Sequence, residues 1–126
     1  MKTGRSTGNP TKAQKARFYA IQEIGCIVCR RHRRLKRAAE IHHLTIGGKH
    51  GQKRRGHDFT IGLCSWHHRG VNAFGNPSLG ATTYGPSYAL EPRKFREQFG
   101  NDDQLLRYQN QLITQLETAT NECPEA

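Results

Sequence analysis

Acidic side chains are scarce in the first 70 positions of this chain: three Asp or Glu stand against 16 Lys or Arg, while positions 71–126 hold seven against four. A half so depleted in negative charge is the electrostatic footprint of a phosphate-backbone binder, although a merely soluble basic surface would carry the same composition. Hydrophobic residues are also few, 34% of 126. They allow only a small core, one that would gain from a metal staple. No run of 18 apolar residues occurs, so no membrane span is expected, and Met1 to Arg5 leads into no apolar signal-peptide core. The expectation is a cytoplasmic protein without a membrane partner, where paired cysteines are more often metal ligands than disulfides. Walker, DExD-like and Gly-x-Ser-x-Gly patterns are missing too, which removes the common competing phosphoryl and acyl chemistries.

What the chain does hold is concentrated between Gly25 and Asn72. Cys26, Cys29, Cys64 and His67 follow the spacing C-x2-C…C-x2-H, which suits one tetrahedral zinc. Between the two pairs lies His42-His43, and His68 follows directly after the second. A closed sulfur-rich site and an open histidine site are therefore interleaved in under 50 residues. Cys123 sits alone in a polar tail and reads as a bystander.

Residues 1–10 read as a flexible basic arm and 11–119 as one domain, with a core at about 25–75, a helical part at 91–119 and a disordered tail over 120–126. Thr11 and Gln14 form a capping box for a helix from about Lys12 to Gln22. Gly25 begins a tight zinc-knuckle turn. Arg30, Arg31, Arg33, Arg34, Lys36 and Arg37 follow as a cationic run, either a solvated loop or a clamp on a nucleic-acid backbone. Residues 39–44 read as a short strand, 46–56 as a glycine-rich loop whose Lys53, Arg54 and Arg55 are further candidate DNA contacts, and 57–63 as the returning strand with Phe59, Ile61 and Leu63 on one face. A short helix is expected over 65–72, a loop over 75–86, a helix from Pro92 to Phe99 and a last helix capped by Asn101 or Asp102. Leu105, Tyr108, Leu112, Ile113 and Leu116 mark the core-packing stripe of that last helix. The fold class is α+β, a small zinc-stapled ββα-metal core with flanking helices.

Neighbouring strand residues point to opposite faces, so His42 and His43 divide into one metal ligand and one residue that reaches the reacting phosphate from another side. His68 and Asn72, four apart on a helix, can join His42 around a divalent cation. Three protein ligands leave positions open for a phosphate oxygen and water. His43, with an ordinary pKa of about 6.5, is suited to deprotonate water. A different class of protein, a non-catalytic zinc-knuckle module that binds nucleic acid through its basic half, has the same cysteines but no use for His43. His32, His50 and His57 receive no chemistry from the sequence.

At EIHHL (40–44) and GLCSWHH (62–68) the chain resembles zinc-stapled HNH endonucleases. That resemblance implies His43 as general base, His42, His68 and Asn72 as ligands of a catalytic Mg2+ or Mn2+, and His67 in a zinc slot often taken by cysteine. Asp58 falls near the middle Asn of the motif, with a role in fixing the hairpin loop. Over roughly 11–116, from GCIVC through GGKHGQKRRGHDFTIGLC and WHHRGV to FREQFG and DDQLLRYQNQLI, the chain is similar to the phage Ref proteins, recombination-enhancing nucleases. The resemblance implies DNA cleavage leaving 5′-phosphate and 3′-hydroxyl ends, dependence on a RecA filament, and work in the cytoplasm of a bacterial host. An HNH enzyme of restriction or phage packaging is the alternative within the same chemistry.

Overall fold

The computed structural model describes residues 8–46, 53–72 and 75–122, with side chains as far as residue 119. Helix α1 (Lys12–Ile24) opens with the expected capping box: the Thr11 hydroxyl accepts from Gln14 N, and Thr11 N–H donates to Gln14 Oε1. It runs two residues past the expected Gln22 and stops at Gly25, whose φ of 87° suits glycine and whose missing Cβ would collide with the Arg37 carbonyl. Cys26 then caps α2 (Ile27–Arg33), a helix where a turn and a loop were expected. Ile27, Val28 and Cys29 are buried on it, so the knuckle gains a hydrophobic anchor and the first three cations of the run, Arg30, Arg31 and Arg33, become helical, with Arg34 as the C-cap.

Strands β1 (Glu40–His43) and β2 (Thr60–Leu63) pair antiparallel, with Glu40 opposite Leu63 and His43 opposite Thr60. All four β2 residues are buried while those of β1 are half-buried, so β2 is the central element. Ile61 and Leu63 enter the core, whereas Phe59 lies before the strand and is 40% exposed. The expected strand was three residues too long at that end. Arg17 of α1 grips Thr60 through its hydroxyl (3.0 Å) and carbonyl (2.6 Å).

After β2 come α3 (Ser65–Arg69), α4 (Pro77–Tyr84), α5 (Pro92–Phe99) and α6 (Asp102–Glu122). Gly70, at φ 74°, ends α3 three residues before the expected Asn72. Helix α4 replaces an expected loop: Asn76 caps it through Leu79 N and Pro77 occupies its first turn, so the Asn-Pro pair is a helix start and not a turn. Asn101 caps α6 by a reciprocal pair of bonds with Gln104, and the helix continues to Glu122, past the expected break at Thr120. The expected disordered tail beyond Glu122 and residues 1–7 of the expected basic arm lie outside the described residues. Leu105, Leu112 and Ile113 are buried as the stripe requires, and Gln109 accepts from Gly62 N at 2.8 Å, occupying a β2 donor that a third strand would otherwise take. The result is an α+β fold around Ile21, Ile27, Ile61, Leu63, Trp66 and Phe95, all essentially inaccessible. Among the described residues no helix is long and apolar enough to cross a membrane.

Gly80 of α4 lies so close to Trp66 and Asn72 that an added Cβ would overlap the indole ring and the amide. Gly80→Ala should therefore destabilise the chain by roughly 1–3 kcal/mol, although alanine is the better helix former. A denaturant midpoint equal to wild type would show that α4 does not pack there.

Candidate metal centre and histidine site

Cys26 and Cys64 are both helix caps, and that is how two short segments come to aim four ligands at one point. Cys26 Sγ accepts from Cys29 N (3.4 Å), and Cys64 Sγ accepts from His67 N (3.5 Å). Each pair thus folds over its own helix start. The three sulfurs lie 3.6, 3.5 and 3.3 Å from His67 Nδ1, Cys29 and Cys64 are 3.9 Å apart, and all four ligand atoms fall within 4.8 Å of one another. A tetrahedral zinc with bonds of about 2.3 Å to sulfur and about 2.0–2.1 Å to nitrogen separates its ligands by roughly 3.6–3.8 Å, so the cluster can hold that ion. His67 Nε2 donates to the Tyr84 carbonyl at 3.0 Å, leaving Nδ1 as the ligand atom.

Protonation is strained in the same direction. Hydrogen bonds from Cys26 and Cys29 hold Cys64 far below the ordinary thiol range, while bonds to Cys26 and Cys64 push Cys29 far above it. Burial would lower His67, but its contacts with Cys26 and Cys64 outweigh burial and raise it to about 9. Three thiols and an imidazole this close share protons until a cation replaces them.

The histidine site lies on β1. Its pleat sends His42 and His43 to different surroundings, as the strand geometry requires. The His42 ring meets His68 edge-on, centroids 4.8 Å apart, and rests against Tyr88 at 4.6 Å. His68 Nδ1 donates to Glu40 Oε1 at 2.8 Å, which leaves Nε2 available as a ligand atom. Arg69 binds both oxygens of Glu40, and this pairing, followed by that with His68, holds the carboxyl below its usual range. On the other face, His43 Nε2 lies 3.0 Å from His57 Nδ1, and Phe18 stands edge-on to both rings. Burial first, then Arg54, His57 and His68, lowers His43 to about 4.

Asn72 sits beyond the end of α3, so helical i, i+4 spacing does not align it with His68. Its amide donates to the Asn76 carbonyl (3.0 Å) and accepts from Asn76 N (3.3 Å), tying α3 to α4. Asp58 accepts from Gln14 at 3.2 Å, anchoring the hairpin to α1. The basic positions divide. Arg31 stacks on Tyr108, Arg33 and Arg37 on Tyr84, and Arg55 pairs with Asp103; Arg31 and Arg33 are exposed all the same, as are Arg30, Arg34, Lys36, Lys53 and Arg54.

A family model described as "Recombination enhancement, RecA-dependent nuclease" matches residues 10–114, from just before α1 into α6. The chain belongs to this family of RecA-dependent nucleases. No curated protein matches it. The match takes in both the cysteine cluster and the histidine site. Glu40, His57 and Tyr88 were not picked out by sequence reasoning. Glu40 stands two residues before His42, where strand periodicity alone would have placed it on the same face.

Cys64→Ser should leave the protein without stoichiometric zinc and largely unfolded, because structural metal contributes folding free energy comparable to the ~5–15 kcal/mol stability of a whole domain. Metal analysis and chelator-dependent melting check this; zinc-free wild type that melts normally would sink it.

His43 also links stability to pH. Its native ring stays uncharged down to about 4, while in the unfolded chain it takes up a proton near 6.5. Between those values the unfolded state binds more protons, so the contribution is full above about 6.5 and is lost as pH falls toward 4. His43→Gln should flatten the loss of stability between pH 7 and 4.5 in urea titrations. An unchanged slope would assign that loss to other groups.

Proposed function

We propose that this chain is a metal-dependent HNH endonuclease that hydrolyses DNA phosphodiester bonds, with a RecA filament as its partner in recombination. The observation that carries the reading is the split of His42 and His43. One lies ring to ring with His68, the other stands on the opposite face with its charge suppressed. His42 and His68 would hold Mg2+ or Mn2+, the fit resting on their adjacent rings and on Glu40 fixing the His68 tautomer, whereas Asn72, whose amide is tied to Asn76, would join them only by leaving that contact. Bound there, the ion would neutralise charge on the scissile phosphate and the departing oxygen.

The chain's own residues do the rest. His43 takes a proton from the attacking water, and its uncharged state near neutrality keeps it competent as a base. Asp58 and Gln14 hold the hairpin against α1. Exposed Arg30, Arg34, Lys36, Lys53 and Arg54 contact backbone phosphates without reading sequence. Zinc in the Cys26, Cys29, Cys64 and His67 cluster is structural in this reading, because four protein ligands leave no open position. The work belongs in the cytoplasm of a bacterial cell, where RecA filaments assemble on DNA.

The deciding assay incubates the zinc-loaded protein with supercoiled and single-stranded DNA and Mg2+, with and without RecA and ATP. His43→Ala should lose roughly 10²–10⁴-fold in rate while keeping its zinc and its fold. His42→Ala should lose activity as well, but raised Mn2+ should restore part of it. Near-normal cleavage by His43→Ala overturns the base assignment, and equal metal rescue of both variants means their roles are exchanged.

A further inference from the structure

His57 is a buried histidine that the chemistry above leaves unused, and both of its ring nitrogens are engaged. His57 Nε2 lies 2.9 Å from the Gly8 carbonyl, and His57 Nδ1 lies 3.0 Å from His43 Nε2. A carbonyl can only accept, so His57 Nε2 carries a proton. With one proton per ring, His57 Nδ1 is then an acceptor and His43 Nε2 must be the donor. The proton of His43 is thereby assigned to Nε2, and Nδ1 is left with the lone pair.

We propose that His57 is a positioning residue for the nuclease reaction: it fixes His43 as the Nε2–H tautomer and makes His43 Nδ1 the atom that takes the proton from water. The inference rests on the reading of His43 as general base and deepens it by naming the basic atom and what selects it. Phe18 supports the arrangement from α1. Its ring stands 74° to the plane of His43 and 81° to that of His57, at 6.1 and 5.6 Å, restricting rotation of both. The chain just ahead of α1 completes it, since Gly8 supplies the carbonyl that orients His57. Proton movement through the pair balances. Water gives its proton to His43 Nδ1, the imidazolium so formed keeps its Nε2–H bond to His57 Nδ1, and His57 disperses the new positive charge toward the Gly8 carbonyl.

The test joins a spectroscopic readout to a kinetic one on the full zinc-loaded chain. Long-range 15N–1H correlation on 15N-histidine protein near neutral pH reports the tautomer of each ring. Wild type should show His43 as the Nε2–H form. His57→Phe should let His43 redistribute between tautomers and lower kcat by about 10–100-fold, with KM for DNA little changed, a part of the loss expected on removing the base itself. His57→Asn, whose amide oxygen can take the place of Nδ1, should return the tautomer and most of the rate, and it carries the test if His57→Phe fails to fold. A protonated His43 Nδ1 in wild type, an unmoved tautomer in His57→Phe, or unchanged kcat in that variant overturns the proposal. A wild type that cuts no DNA under any condition overturns the nuclease reading instead. That failure is told apart because the tautomer spectra would still show His57 directing the His43 proton.

Discussion

Bringing three cysteine sulfurs and a histidine nitrogen within 4.8 Å of one another is unfavourable for the protonated groups and favourable only around a cation, yet the chain does this where its two halves meet. Cys26 and Cys29 belong to the start of α2, Cys64 and His67 to the start of α3, and 34 residues separate the pairs. Few other links span that gap with comparable directionality. Because the cysteines cap their helices, the orientation of each helix follows from the position of its sulfur. The closed cluster therefore constrains the relation between α2 and α3 alongside the apolar packing of the core.

The histidine site inherits its geometry from that closure. His67 and His68 are consecutive on α3, so pinning Nδ1 of one toward the sulfurs turns the other toward β1. The His67 carbonyl then accepts from Tyr88 N at 2.8 Å, which delivers the Tyr88 ring to the far side of His42. Tyr88 is held in turn by Asp102 (3.0 Å) and Arg96 (2.9 Å), so the start of α6 and the middle of α5 reach the site through one hydroxyl. An enzyme of this size has little apolar core to hold reacting groups in place. Hydrogen-bonded side chains hold the histidines here, with the cysteine cluster as the fixed end of the chain of contacts.

Legibility in the sequence followed the range of the interactions. The cysteine spacing, the Thr11–Gln14 capping box and the opposition of His42 to His43 are local patterns, and each is present as written. Helix α4 was missed because Asn76-Pro77 is compatible with either a turn or a helix start. What decides between them is Trp66, whose indole donates to the Gly85 carbonyl at 2.8 Å and packs on Gly80. The shortness of α3 had a visible signal in Gly70, whose left-handed backbone ends the helix before Asn72 can stand one turn from His68. His57 carried no local signal at all. The groups bonded to its two ring nitrogens lie 14 and 49 residues away, and only the fold brings them together.

The basic amino-terminal half shows how composition and surface part company. Sixteen cations in 70 residues suggest a wide phosphate-binding face. Arg17 is spent on Thr60 and Asn110, Arg33 on the Thr83 carbonyl and the Tyr84 ring, Arg37 on the same ring, and Arg55 on Asp103 and the Thr45 carbonyl. Arginine's planar fork suits this work, since one side chain can tie two elements while stacking on an aromatic face. Among the described residues, exposed Arg30, Arg34, Lys36, Lys53 and Arg54 of the two basic runs fall in two groups, one in and just after α2 and one in the hairpin loop, while Lys12 and Lys15 are exposed on α1. Arg54 in the second group is close enough to the histidines to help keep His43 uncharged. Under the proposed function, a phosphate drawn to Arg54 would arrive beside His43, so one side chain would both attract the substrate and help set the protonation of the histidine next to it.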